Sequence, residues 1–113
     1  MTFDKGELTA PAKSEVHLTF KNNAKLDVLP HNWVLVREKT EAKVAADGLA
    51  RGKEHDYLPE NSDDVLASVP LTAPGKTSEV TFIAPKYPGK YPYICTIPGH
   101  YIMMKGVLNV TAL

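Results

Sequence analysis

Lys90-Tyr-Pro-Tyr-Ile-Cys95-Thr-Ile-Pro-Gly-His100-Tyr-Ile-Met-Met104-Lys-Gly-Val-Leu-Asn-Val-Thr111 reads as two short strands joined by a loop. The flanking runs, Lys90 to Cys95 and Lys105 to Thr111, are rich in aromatic and β-branched residues and have strand length. Pro98-Gly99 closes the loop at one end and Gly106 at the other. Inside it lie a thiol, an imidazole and a thioether: Cys95, His100 and, of the two adjacent methionines, Met104.

The same texture continues along the rest of the chain. Glu15 to Lys21 alternates, with Val16, Leu18 and Phe20 on one face and His17 and Thr19 on the other. His31 to Val36, Val65 to Val69 and Thr77 to Ile83 are further strand candidates. Ala73-Pro74-Gly75 and Tyr87-Pro88-Gly89 separate them as turns. Regular short strands with Pro/Gly punctuation predict an all-β sandwich or barrel. One stretch departs from the pattern: Glu41 to Ala46 favours helix and is predicted to stop at Asp47-Gly48. Val36 to Asp64 therefore reads as an insertion between two strands, carrying one short helix and a polar excursion from Gly52 to Asp64.

The 113 residues suffice for one domain with one core, so residues 1–113 are expected to form a single domain. A hydrophobic share of 43% argues against disorder. Lys+Arg and Asp+Glu number 13 each, and this balance argues against a nucleic-acid partner or one recruited by strong overall charge. No apolar run approaches the ~20 residues of a membrane span, and the N-terminus does not resemble a signal peptide. A single cysteine excludes an internal disulfide.

Taken singly, Cys95 reads as a small buried hydrophobe and the methionines as core filler. Together with His100 they make a soft sulfur and imidazole donor set, which suits copper in both of its common oxidation states. A blue copper site needs two histidines and one cysteine roughly in a plane, with a weak axial thioether. The loop offers one histidine, so the second must come from elsewhere. His17 lies on a polar strand face, and His55 sits in the charged stretch Lys53-Glu54-His55-Asp56. His31 opens a strand whose Trp33 and Leu35 share its face and belong in a core, so His31 is the candidate.

These residues resemble the cupredoxins, and within them the azurins and auracyanins. The matching motifs are His31-Asn32-Trp33-Val34-Leu35, Cys95-Thr96-Ile97-Pro98-Gly99-His100, Met104-Lys105-Gly106, Asp47-Gly48-Leu49-Ala50 and Asp56-Tyr57-Leu58. Plastocyanin-like proteins use a shorter Cys-to-His spacing and fit less well. The resemblance implies a Greek-key β-sandwich and one type 1 copper ion, with His31, Cys95 and His100 as equatorial ligands. Met104, directly before a Lys-Gly pair, would be axial. Asn32 would tie the two ligand loops together and hydrogen-bond the Cys95 sulfur. Pro30 stands where azurins have a glycine, so its carbonyl would be a weak axial contact or a neighbour of the ligands. The N-terminal disulfide of azurins has no counterpart. Leu29, Leu49, Ile97, Pro98 and Met103 would form an apolar docking patch around His100.

The implied function is one-electron transfer between redox partners by Cu(II)/Cu(I) cycling, without catalysis of its own. The implied partners are redox proteins such as c-type cytochromes or membrane electron-transfer complexes, in the periplasm or another extracytoplasmic compartment. Two alternatives stand beside it: an electron-transfer domain of a larger redox enzyme, and a copper carrier. Nitrite reductases and multicopper oxidases need more histidines than His17 and His55 supply, and a CuA domain needs two cysteines.

Overall fold

The alternation of Glu15 to Lys21 becomes strand β2 (Glu15–Lys21), whose residues are exposed and shielded in turn. It pairs antiparallel with β5 (Thr77–Ile83), Val16 opposite Phe82 and Leu18 opposite Val80, as a two-stranded sheet. The computed structural model describes residues 2–23 and 29–113. A second, five-stranded sheet has the order β1-β7-β6-β3-β4. It contains β1 (Glu7–Pro11), β3 (His31–Val36), β4 (Val65–Thr72), β6 (Gly89–Ile94) and β7 (Lys105–Thr111). β1 runs parallel to β7, and the other pairings are antiparallel. The architecture is the all-β Greek-key sandwich implied by the resemblance.

The core lies between the sheets. Phe20 from β2 and the shielded Val16, Leu18, Val80 and Phe82 meet Trp33, Leu35, Val69, Tyr93 and Leu108 from the larger sheet. Trp33 stacks obliquely on Tyr93 and Phe82, with ring centroids 5.4 and 6.0 Å apart. A second, smaller cluster covers the other face of the larger sheet: Val34, Val36 and Ile94 pack against Val44 and Ala45 of the helix α1 (Glu41–Arg51). All six residues of β3 are consequently buried. The sequence predicted one apolar face for this strand; the helix on the far side accounts for the other.

The elements differ from the sequence prediction in several places, β6 by one residue at each end. The helix does not stop at Asp47-Gly48 but continues to Arg51. Gly48 is buried where α1 lies against a loop: a Cβ there would overlap the Tyr57 carbonyl oxygen. The glycine serves close approach, and the chain turns instead at Gly52, with φ 83°. β4 extends past Val69 through Pro70 to Thr72, which an edge strand tolerates because its outer N–H row needs no partner. β1 was not anticipated; it is short, ends in proline and pairs on one side only.

Candidate metal centre

His31 is the first residue of β3, and β4 and β6 hydrogen-bond that strand from either side. Cys95 follows the last residue of β6. The loop after it folds on its own backbone: His100 N–H donates to Ile97 O (2.9 Å), Met104 N–H to His100 O (2.7 Å) and Cys95 N–H to Met104 O (3.1 Å). Gly99, at φ 80°, makes the left-handed step that starts a short 3-10 turn over His100–Ile102.

These two supports bring three donors together. The Cys95 Sγ lies 3.9 Å from Nδ1 of His31 and 3.9 Å from Nδ1 of His100. The imidazole rings are 5.2 Å apart, and one donor atom from each of the three side chains falls within 4.8 Å of the others. Cys95 is fully buried and the histidines nearly so, at 5% and 7% exposure. Among the described residues no other group of three His, Cys, Asp or Glu side chains converges in this way. Burial pushes the Cys95 thiol pKa up, and backbone N–H groups of Asn32 and Ile97 directed at the sulfur pull against that rise. A buried thiol with two imidazole nitrogens fits a copper ion, which these residues would hold with the thiol deprotonated.

The two methionines part. Met104 is buried at 3% exposure and lines one cavity with His31, whereas Met103 is 60% exposed. Pro30 is half-buried directly before His31. His17 and His55 stay outside: His17 pairs with Glu15 and Thr81 on the surface, and exposed His55 contacts Arg51. Of the expected patch, Leu29, Leu49, Pro98 and Met103 are exposed and Ile97 is half-buried. Ile102, at 61% exposure, joins them; its place in the 3-10 turn was not legible as an outward one.

Asn32 bridges the two supports. Its Oδ1 accepts the Thr96 N–H (2.9 Å), and its Nδ2 donates to Thr96 Oγ1 (2.7 Å) and Asp56 O (2.9 Å). Thr96 Oγ1 in turn donates to Tyr57 O (2.6 Å). The roles of Thr96, Asp56 and Tyr57 escaped the sequence reading, although the motif Asp56-Tyr57-Leu58 marked the place. Asn22 was also missed: its Nδ2 donates to Leu29 O (3.1 Å) and Thr72 O (2.8 Å), tying the approach to His31 to β4.

The family described as copper binding proteins, plastocyanin/azurin family, matches residues 1–111. The chain belongs to it. Auracyanin-A of Chloroflexus aurantiacus is 46% identical over 112 residues, covering 97% of this chain and 67% of that protein. Azurin of Pseudomonas fluorescens biotype C is 37% identical over 97 residues, covering 84% and 76% respectively. The solved structure of auracyanin A, a "blue" copper protein from the same Chloroflexus, superposes with a TM-score of 0.87 at 47% identity, covering 97% of this chain and 89% of that one. This plastocyanin/azurin family member is a type 1 copper protein that carries electrons between redox partners; it is not an enzyme. Among its described residues no helix is long and apolar enough to cross a membrane.

Proposed function

We propose that His31, Cys95 and His100 are the equatorial ligands of one copper ion, that Met104 is its weak axial donor, and that electrons enter and leave through the apolar surface around His100. The observation that carries the ligand assignment is the convergence of three buried donor atoms within 4.8 Å. The burial of Met104, which lines one cavity with His31, against the exposure of Met103, supports the axial choice. The Pro30 carbonyl, one residue before His31, would be a weak axial contact or a neighbour of the ligands. Residues 1–113 are taken as one cupredoxin domain.

Copper supplies the one-electron couple Cu(II)/Cu(I). The chain's part is to keep its donors in place while the charge changes, so that little reorganisation accompanies transfer. His31 opens β3, a strand paired on both edges and buried along its length, and Cys95 and His100 stand on the loop that bonds to its own backbone. The N–H groups of Asn32 and Ile97 stabilise a thiolate at Cys95. Leu29, Leu49, Ile97, Pro98, Ile102 and Met103 provide an apolar contact face without a strong field. This suits brief docking of a redox protein such as a c-type cytochrome or a membrane electron-transfer complex. The family resemblance supports an extracytoplasmic, periplasm-like setting.

Optical and EPR spectra of the copper-loaded protein test the assignment. An intense visible thiolate-to-copper band is expected, and Cys95→Ser should abolish it. Survival of the band in that variant would remove Cys95 from the metal.

A further inference from the structure

Asn32 and Thr96 follow two of the ligand residues directly, and their bridge is completed by two backbone carbonyls from the insertion. Asp56 O takes an Asn32 N–H and Tyr57 O takes the Thr96 hydroxyl. Those carbonyls are presented by an unusual piece of chain. Asp56 and Tyr57 are consecutive non-glycine residues in the left-handed region, with φ 57° and 54°. Such residues persist only where their surroundings hold them. Two holders are visible. The Asp56 carboxylate accepts the Leu71 N–H of β4 (3.3 Å). On the opposite side stands Gly48 of α1, where a Cβ would overlap the Tyr57 carbonyl oxygen and lie 3.4 Å from the Thr96 Cβ.

We propose that Gly48 is a positioning residue of the metal centre: its missing side chain lets α1 seat the Tyr57 carbonyl against Thr96 and thereby sets the spacing of the Asn32–Thr96 bridge between the ligand supports. Asn32 and Thr96 are buried, at 0% and 1% exposure, so each polar atom in the bridge depends on its partner rather than on water. Displacing the Tyr57 carbonyl frees the Thr96 hydroxyl and loosens the Asn32 side chain. The disturbance then reaches the Asn32 N–H at the Cys95 sulfur. The helix thus acts on the metal through hydrogen bonds, without contributing a ligand. The effect on the metal rests on the ligand assignment above; the effect on the bridge does not.

Gly48→Ala tests it. Alanine ordinarily favours a helix over glycine, but here its Cβ meets the Tyr57 carbonyl, so a merely structural role for Gly48 predicts lost stability with band and potential unmoved. We expect the Thr96 amide to exchange with solvent roughly tenfold faster in the reduced protein, together with a shifted visible band and a shifted reduction potential. Val44→Ala, which weakens the same helix against Val34, Val36 and Ile94, should lower the melting temperature and leave band, potential and Thr96 exchange unchanged. Thr96→Ser keeps the hydroxyl and should behave as wild type. Thr96→Val removes it with Gly48 intact, and should shift band and potential even if Gly48→Ala fails to fold. Wild-type exchange, band and potential in Gly48→Ala, or an unshifted band and potential in Thr96→Val, would overturn the proposal. If the wild type lacks the thiolate band, the ligand assignment fails and the Thr96 exchange result decides the role of Gly48 by itself.

Discussion

The two supports of the metal centre are built on opposite plans. β3 has no exposed residue: it is paired on both edges and covered on both faces, by the sandwich core and by α1. The loop from Cys95 to Met104 is held by backbone bonds within itself and, at Thr96, by bonds to Asn32 and the Tyr57 carbonyl, while Pro98, Gly99, Ile102 and Met103 are exposed. One support borrows its rigidity from the whole fold, and the other adds the Asn32–Thr96 bridge to its own backbone bonds. A transfer protein gains from both. In the proposed assignment the buried arm keeps one ligand still, while the loop, anchored at Thr96, presents its exposed apolar side chains to a partner.

That contrast predicts where substitutions register. The largest loss of stability is expected in β3. Leu35→Ala removes a fully buried side chain from the main core and should cost about 3 kcal/mol of unfolding free energy, read by denaturant titration. Pro98→Ala on the exposed loop should stay within about 0.5 kcal/mol on the same assay. Equal losses would show that the exposed tip of the loop depends on the core as much as β3 does.

Smaller in energy is the effect expected at Met104. Thioether donation favours the electron-poor Cu(II) state, so Met104→Leu, which keeps the volume and removes the donor, should raise the reduction potential by tens of millivolts. A ~59 mV change in a one-electron couple is ~1.4 kcal/mol. Met104→Gln, with a harder amide oxygen, should lower the potential. A contact from the Pro30 carbonyl would damp the rise in the leucine variant. Voltammetry that finds no movement in either variant, or the reverse order, removes Met104 from the axis.

The smallest effect on the metal is expected at Met103, next door in sequence and 60% exposed. Met103→Lys should leave the visible spectrum as it is and slow electron exchange with a redox partner, because a charge is placed on the proposed apolar contact face. A changed spectrum would exchange the roles of the two methionines. Unchanged exchange rates would move the contact face elsewhere.

Much of this was legible along the chain. Strands β2, β3, β5 and β7 have the bounds their residue patterns indicate, because alternation and β-branched runs between Pro/Gly turns are local signals. Cys95, His100 and Met104 stand close together in sequence, so their chemistry was readable, and His31 could be selected because the other histidines sit in polar surroundings. What misled was glycine. Asp47-Gly48 looks like a helix end when read locally, but the helix runs on because Gly48 is needed for contact with a carbonyl nine residues later. β1 was passed over because a short strand ending in proline has little pattern of its own and depends on β7 for pairing.

The sequence by itself determined the donor set, the strand rhythm and the balanced charge, since each is a property of residue type and near spacing. Only the tertiary structure decided that β3 is buried on both faces, that Met104 turns inward while Met103 turns out, and that Asn32 reaches Thr96, 64 residues away, and Asp56, 24 residues away. These depend on which surfaces meet after the sheets close and α1 packs. A buried polar side chain is bound by geometry to whichever donor or acceptor lies within about 3 Å, whatever its distance along the chain.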